Sequence, residues 1–317
     1  MGNTNALQEF LDELIHDSRN KEADSKKLSK ISKTETEDPI TYLNLSGCNI
    51  SYLPESISNL DELKTLYLDD NNLTGLPHSF TLLSSLNTLY MCGNKIKDFQ
   101  YLSSIPLKFL SIGNNNISMF PESVLEIKIL ETLFIYDNTI DFIPETISTV
   151  KNIHWLDFSR NNLTDLPTTL KEMPELAELY LWSNNFTEIP PVIGEIEKLC
   201  DLNLTGNNIK EIPQFLTKLK LLGHLNLGNN KIEIIPDYIG DFTSLHDLNM
   251  MNNKIRSLPE SIGNLKYLMT LNLENNLLGT LPDSLKEMTR LIGINVRGNR
   301  IEKIPETLKH MKGRIQI

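Results

Sequence analysis

The residues best placed to do chemistry in this 317-residue chain recur at fixed intervals, and rings and carboxylates stand out among them. Four polar side chains, Glu178, Asp201, His224 and Asp247, follow one another at 23-residue steps. Carboxylates flanking a histidine can hold a metal, raise its proton affinity, or form an acidic rail for a basic segment of a partner. Flat spacing with no closed ligand set argues against the metal. Nine aromatic residues keep the same rhythm: Tyr42, Tyr67, Tyr90, Phe109, Phe134, Tyr136, Trp155, Tyr180 and Trp182. Trp and Tyr dominate binding hot spots. Asp157 and Arg160 fall among these rings and are grouped with them as partner-binding candidates.

A catalytic reading finds little to stand on. There is no phosphate-binding Gly-rich Lys motif, no HExxH and no local nucleophile signature. Cys92 has no histidine in the neighbouring outward columns, and Cys200 has only His224 one interval on. The three cysteines, Cys48, Cys92 and Cys200, form no C-x-x-C pair and suit a reducing compartment. The chain is therefore expected not to be an enzyme and to need no cofactor.

What positions these side chains is an internal repeat. Residues 245–267, LHDLNMMNNKIRSLPESIGNLKY, typify a 23-residue unit of pattern LxxLxLxxNxLxxLPxxIxxLxx. Copies begin at Ile40, Leu63, Leu86, Leu107, Leu130, Ile153, Leu176, Leu199, Leu222, Leu245, Leu268 and Leu291. One unit cannot bury its own apolar face, so the twelve must stack. Positions 3 to 8 of a copy read as a short strand with leucines at 4 and 6 pointing in and positions 3, 5 and 7 pointing out. Position 9 is Asn in all copies but the first, which has Cys48. A carboxamide there can donate to and accept from backbone groups left unpaired where the chain turns through the core. The Pro and acids that follow suit the start of a short helix or helical turn, and Lys128, Lys151, Lys220, Lys266 and Lys312 suit its negative end. The third copy is two residues shorter and has Gln100 in place of Pro, which predicts a rebuilt turn and a local kink over 97–106.

Placed on this frame, the nine rings occupy outward positions of copies one to seven, while the same positions of copies eight to twelve hold none. A general preference of aromatics for strands would apply to both halves. The asymmetry marks an apolar binding patch centred on copies four to seven. Position 5 of copies eight to twelve is Asn203, Asn226, Asn249, Asn272 and Asn295, read as repeat residues whose amides can also bond along the row.

The repeat resembles the leucine-rich repeat family, in its 23-residue LPxxIxxL class, as in Ras-group and Scribble-type scaffolds and in bacterial leucine-rich repeat proteins. The resemblance covers residues 40–313. It implies an α/β fold, a curved solenoid or horseshoe with a parallel sheet on the concave side and short helices or turns on the convex side, used for binding proteins. The expected function is a non-catalytic interaction module holding a protein or peptide on its concave aromatic patch. The alternative is a regulatory subunit or delivered bacterial effector that modulates a small GTPase, a phosphatase or another signalling enzyme.

The remaining expectations concern flanks and setting. Residues 1–17 place Leu7, Phe10, Leu11, Leu14 and Ile15 on one helical face, suited to covering the open end of the stack or docking on a partner. Residues 18–39 are polar and charged and read as a flexible linker before a repeat domain at 40–317. The last copy leaves its end poorly capped, with Arg314 to Ile317 in place to start a thirteenth strand, which suggests self-association or a partner there. A net charge of −11 disfavours nucleic acid and favours a partner with a basic segment. No membrane span or signal peptide is evident, and Ala6 stands where a myristoylation motif wants Ser or Thr. Seven Asn-x-Ser/Thr sequons fall in repeat positions rich in those residues anyway. A cytoplasmic location is expected, with secretion or delivery to a host cell without a cleaved signal as the alternative.

Overall fold

The computed structural model describes residues 3–34 and 39–317. The repeats, expected as one elongated domain, group into two compact units divided between Asp157 and Phe158. In the first unit, β1 (Tyr42–Asn44), β2 (Thr65–Tyr67), β3 (Thr88–Tyr90), β4 (Phe109–Ser111), β5 (Thr132–Phe134) and β6 (Trp155–Asp157) pair in chain order, all parallel. In the second, β7 (Glu178–Tyr180), β8 (Asp201–Asn203), β9 (His224–Asn226), β10 (Asp247–Asn249), β11 (Thr270–Asn272), β12 (Gly293–Asn295) and β13 (Ile315–Gln316) do the same. Each unit is the expected parallel-sheet solenoid. The strands are only three residues long, shorter than the six-residue span expected, because the chain leaves the sheet after position 5.

The register follows from the core. Leucines at positions 1, 4 and 6 are buried throughout, as at Leu130, Leu133 and Ile135 or Leu199, Leu202 and Leu204. A slip of one residue would turn each of these to solvent. The position 9 asparagines close the accounting of backbone polar groups. Asn71 Oδ1 accepts from the N–H groups of Cys48 and Ile50 at 3.1 and 2.9 Å, and its Nδ2 donates to the carbonyls of Leu45, Leu68 and Asp69. The same pattern recurs at Asn138, and at Asn253 with the Ile232 N–H as the donor to Oδ1. One residue earlier, at position 8, the backbone turns left-handed in all twelve copies, from Gly47 to Gly298.

Behind the sheet the first eleven copies each make a five-residue 3-10 turn such as Glu145–Thr149, and the twelfth a nine-residue one, Glu306–Arg314, not an α-helix. Proline precedes the turn as its cap in every copy but the third, as at Pro144, and only in the seventh does a second proline, Pro191, also occupy its first residue. Lys128 and Lys220 reach the last carbonyls as expected, donating to Leu125 and Thr217 at 2.9 and 2.8 Å. In the short third copy the turn is Gln100–Ser104, beginning one position early. The Asp98 carboxylate accepts the Gln100 N–H at 3.0 Å, and Phe99 fills the core. This rebuilt turn is where the kink was expected.

The N-terminal segment is more ordered than its composition suggests. Helix α1 (Asn3–His16) buries Leu7, Phe10, Leu11 and Leu14 against the turn Glu55–Asn59, covering the end of the stack. The flexible linker expected over 18–39 instead carries a 3-10 turn, Ser18–Asn20, and a second helix, α2 (Ser25–Thr34), with Leu28 buried; residues 35–38 lie outside the described part. The reason is buried Asn20. Its Oδ1 accepts from the N–H groups of Ser51 and Tyr52 at 2.8 and 2.9 Å, and its Nδ2 donates to the carbonyls of Leu14 and Tyr52. It clips the segment to the first copy as the repeat asparagines clip copy to copy. At the other end the thirteenth strand expected within 314–317 forms as β13 and pairs with β12.

Candidate functional site

On the first unit the outward rings form one connected chain. Centroid distances run 5.4 Å from Tyr42 to Tyr67, 4.4 Å to Tyr90, 4.5 Å to Phe109, 5.2 Å to Phe134 and 4.6 Å to Trp155. Strand spacing of about 4.8 Å dictates this, since rings on adjacent strands must meet whether they stand at position 3 or 5. The ladder therefore begins at the first strand, earlier than copies four to seven. Contact shields the rings from Tyr67 to Trp155 to half-buried, leaving Tyr42 the most exposed at 43%. Asp157 ends β6 beside Phe134 in the register.

Tyr136 lies apart from the ladder. Its ring lies over Gly113, where an added Cβ would come within 2.8 Å of it, and its hydroxyl donates to Cys92 Sγ at 3.3 Å. Cys92 Sγ is also 2.9 Å from Ser111 Oγ. Burial pushes the Cys92 thiol and the Tyr136 phenol up. A thiol held protonated is a poor nucleophile. Glycine at position 7 of the fourth copy is the sequence signal for this arrangement, legible only once the ring's direction is known. Replacing Gly113 with valine is expected to lift Tyr136 off Cys92 and speed its modification by a thiol reagent at pH 8 by about tenfold. An unchanged rate, measured on Cys92 by peptide mapping, would show that Tyr136 does not shield it.

On the second unit the position 3 row is contiguous: Glu178 pairs Asp201, Asp201 pairs His224 and His224 pairs Asp247. Its groups engage one another. His224 Nδ1 is 2.9 Å from Asp247 Oδ2, Thr270 donates to Asp247, and the Tyr180 hydroxyl donates to Asp201 at 3.3 Å. Burial raises the Asp201 carboxyl above the usual range, with His224 and Tyr180 opposing it. Asp201, His224 and Asp247 of the row line a shallow groove of about 600 Å³ together with the position 5 asparagines. Those amides turn to their own chain more than along the row. Asn203, Asn226 and Asn249 accept the N–H two residues on at 3.1 to 3.2 Å. Cys200, set against His224 as a conceivable nucleophile, donates its thiol to the Ala177 carbonyl at 3.3 Å, and burial raises it too.

Trp182 stands at position 7 of the same unit with the Arg160 guanidinium 5.8 Å from its ring centroid. Arg160 occupies a left-handed position, φ 54°, where other copies have Gly, Asn, Asp or Ser. A long side chain there costs about 1 kcal/mol or more, so Arg160 is held at the expense of stability beside a large ring. Arg160→Gly is expected to raise stability by about 1 kcal/mol in urea unfolding; a destabilised variant would show that the stacked guanidinium contributes more than the backbone loses.

Models of the leucine rich repeat match residues 38–96, 174–232, 197–255 and 267–288, together more than half of the chain. Among curated proteins none matches the chain in sequence. Solved structures are similar. A leucine-rich repeat protein of Leptospira interrogans is 27% identical with a TM-score of 0.69, the match covering 87% of this chain and 83% of that one. The ectodomain of the Arabidopsis thaliana receptor kinase GASSHO1, solved in complex with CASPARIAN STRIP INTEGRITY FACTOR 2, is 28% identical with a TM-score of 0.69, covering 87% of this chain and 35% of that one. The internalin InlF of Listeria monocytogenes, 23% identical, matches in fold with a TM-score of 0.70 over 95% of this chain and 94% of its own. No helix among the described residues is long and apolar enough to cross a membrane.

Proposed function

The chain belongs to the leucine-rich repeat family, and on that premise we propose that it is a non-catalytic protein-binding module whose ring ladder grips a protein or peptide partner. The observation that carries this is the unbroken contact of six rings from Tyr42 to Trp155. Packing the interior does not require them, because the leucines on the opposite face of each strand already fill it. A row of rigid rings offers large contact area at low entropic cost. On the second unit, the row Glu178, Asp201, His224 and Asp247, with Tyr180, Trp182 and Arg160 nearby, supplies acids and amides suited to a basic or polar segment. The raised thiols of Cys92 and Cys200 remove the readiest nucleophiles. A cytoplasmic setting, and self-association through the β13 end, belong to the same proposal.

The test is affinity capture from lysate with wild type and with a Tyr90→Ala, Phe134→Ala, Trp155→Ala variant whose folding is checked by thermal melt. Partners held by the wild type and lost by the folded variant place binding on the ladder. Identical partners for both would move the site elsewhere.

A further inference from the structure

The chemistry of the ladder narrows what it takes. Of the eighteen outward positions of the first six copies, only Asp69 and Asp157 carry a formal charge. The Asp69 carboxylate accepts the Cys92 N–H at 2.7 Å and is raised by burial, and Asp157 stands at the far end beside Phe134. A partner held here gains little from ion pairs and must offer uncharged, CH-rich surface. The β2–β3 end of the same face carries hydroxyls, at Tyr67, Tyr90, Thr65 and Thr88. The Tyr90 phenol, protonated at neutral pH like any tyrosine and raised further by burial, is a donor. The fitting ligand is apolar on its side chains and rich in unpaired backbone acceptors.

Geometry separates the conformations such a ligand could have. Tyr67 and Tyr90 are stacked, 6° apart, but Phe134 stands at 80° to Phe109 and 75° to Trp155. The surface is corrugated at this one place, where Phe109 and Trp155, two strands apart, flank the turned ring of Phe134. Two strand spacings are about 9.6 Å. A polyproline II helix advances about 9.3 Å per three-residue turn. An extended strand repeats every two residues, about 6.7 Å, and matches neither one spacing nor two. An α-helix, at about 5.4 Å per turn, falls out of step with single strands by about 3 Å over five of them. Polyproline II also leaves its carbonyls unpaired and loses little entropy on binding, which is why aromatic-lined grooves recognise it.

We propose that the face built by Tyr67, Tyr90, Phe109, Phe134 and Trp155 binds a proline-rich segment of its partner in polyproline II conformation, running across the strands. This rests on the reading of the ladder as a protein-binding surface and names the partner's chemistry. Two prolines three residues apart seat on Phe109 and Trp155 on either side of the turned ring of Phe134, and the Tyr67 and Tyr90 hydroxyls donate to carbonyls further along the segment.

The test uses the full chain carrying Trp182→Phe, so that Trp155 is the sole tryptophan and its fluorescence reports on the ladder. The probes are a proline decamer, a glycine–serine decamer, an alternating threonine–valine decamer and a glucan hexasaccharide. A saturable change is expected with the proline decamer alone, at least about tenfold weaker in Phe109→Ala and in Phe134→Ala, and little altered at about 1 M salt. Where Phe134→Ala fails to fold, Phe134→Leu keeps the apolar bulk without the ring. No saturation with the proline decamer, an equal response to the glycine–serine or threonine–valine peptide, or saturation by the hexasaccharide in its place overturns the proposal. If lysate partners are still lost on ring substitution while the proline decamer fails to bind, the ladder stands as a protein site and the polyproline assignment alone falls.

Discussion

Asn138→Ala is expected to destabilise the protein by about 2 to 6 kcal/mol, read as a fall in the urea midpoint. The Asn138 side chain is buried and makes five hydrogen bonds. Its Oδ1 accepts from the N–H groups of Asn115 and Ile117 at 3.0 Å each. Its Nδ2 donates to the carbonyls of Ile112, Ile135 and Tyr136 at 3.3, 3.0 and 3.1 Å. Alanine strands two buried donors at once, and each costs about 1 to 3 kcal/mol. The carbonyls suffer less, because each has a second lone pair. Asn138→Asp separates the two sides of the amide: a carboxylate keeps the acceptor for both N–H groups but cannot donate, so it should recover part of the loss. A cost below about 1 kcal/mol for alanine would show that the N–H groups find other partners, and that the column organises the stack less than its geometry implies.

Why that column was readable in advance while other features were not comes down to repetition. Asn138 recurs at 23-residue steps, so its chemistry could be inferred from what any such turn must satisfy. The leucines of positions 4 and 6 were legible by alternation, and the aromatic asymmetry by comparing one column across copies. Asn20 does the same work as the repeat asparagines but stands alone in a polar segment, with no period to distinguish it from a linker residue. The length of the strands and the 3-10 form of the turns depend on how far apart successive copies sit, which a pattern of types does not encode. Tyr136 shows another limit. Its place at position 7 is evident from the sequence, but its direction over Gly113 toward Cys92 depends on a side chain absent one copy earlier. The contact of His224 with Asp247 followed from the row; its consequence, that the row's groups engage one another, did not.

Phe134→Ala is expected to weaken partner binding by about 30-fold or more, about 2 kcal/mol, while the fold survives. Phe134 is the centre of the corrugated stretch, with Phe109 at 5.2 Å on one side and Trp155 at 4.6 Å on the other, both edge-on. Truncation removes the ring itself and the support that holds its neighbours upright, so a partner loses contact with three rings at once. The cost to folding is local. Two edge contacts contribute about 0.5 to 1.5 kcal/mol each, and the core side of β5, Leu133 and Ile135, is untouched. Asp201→Asn on the second unit provides the contrast. If a basic segment meets that row, the loss appears mainly in the association rate and disappears with added salt; the Phe134 loss appears in the dissociation rate and survives salt. Surface plasmon resonance at two ionic strengths reads both. Affinity unchanged within threefold in folded Phe134→Ala would mean that the ladder rings pack against one another for the sheet's own sake, and the proposed site would have to be given up.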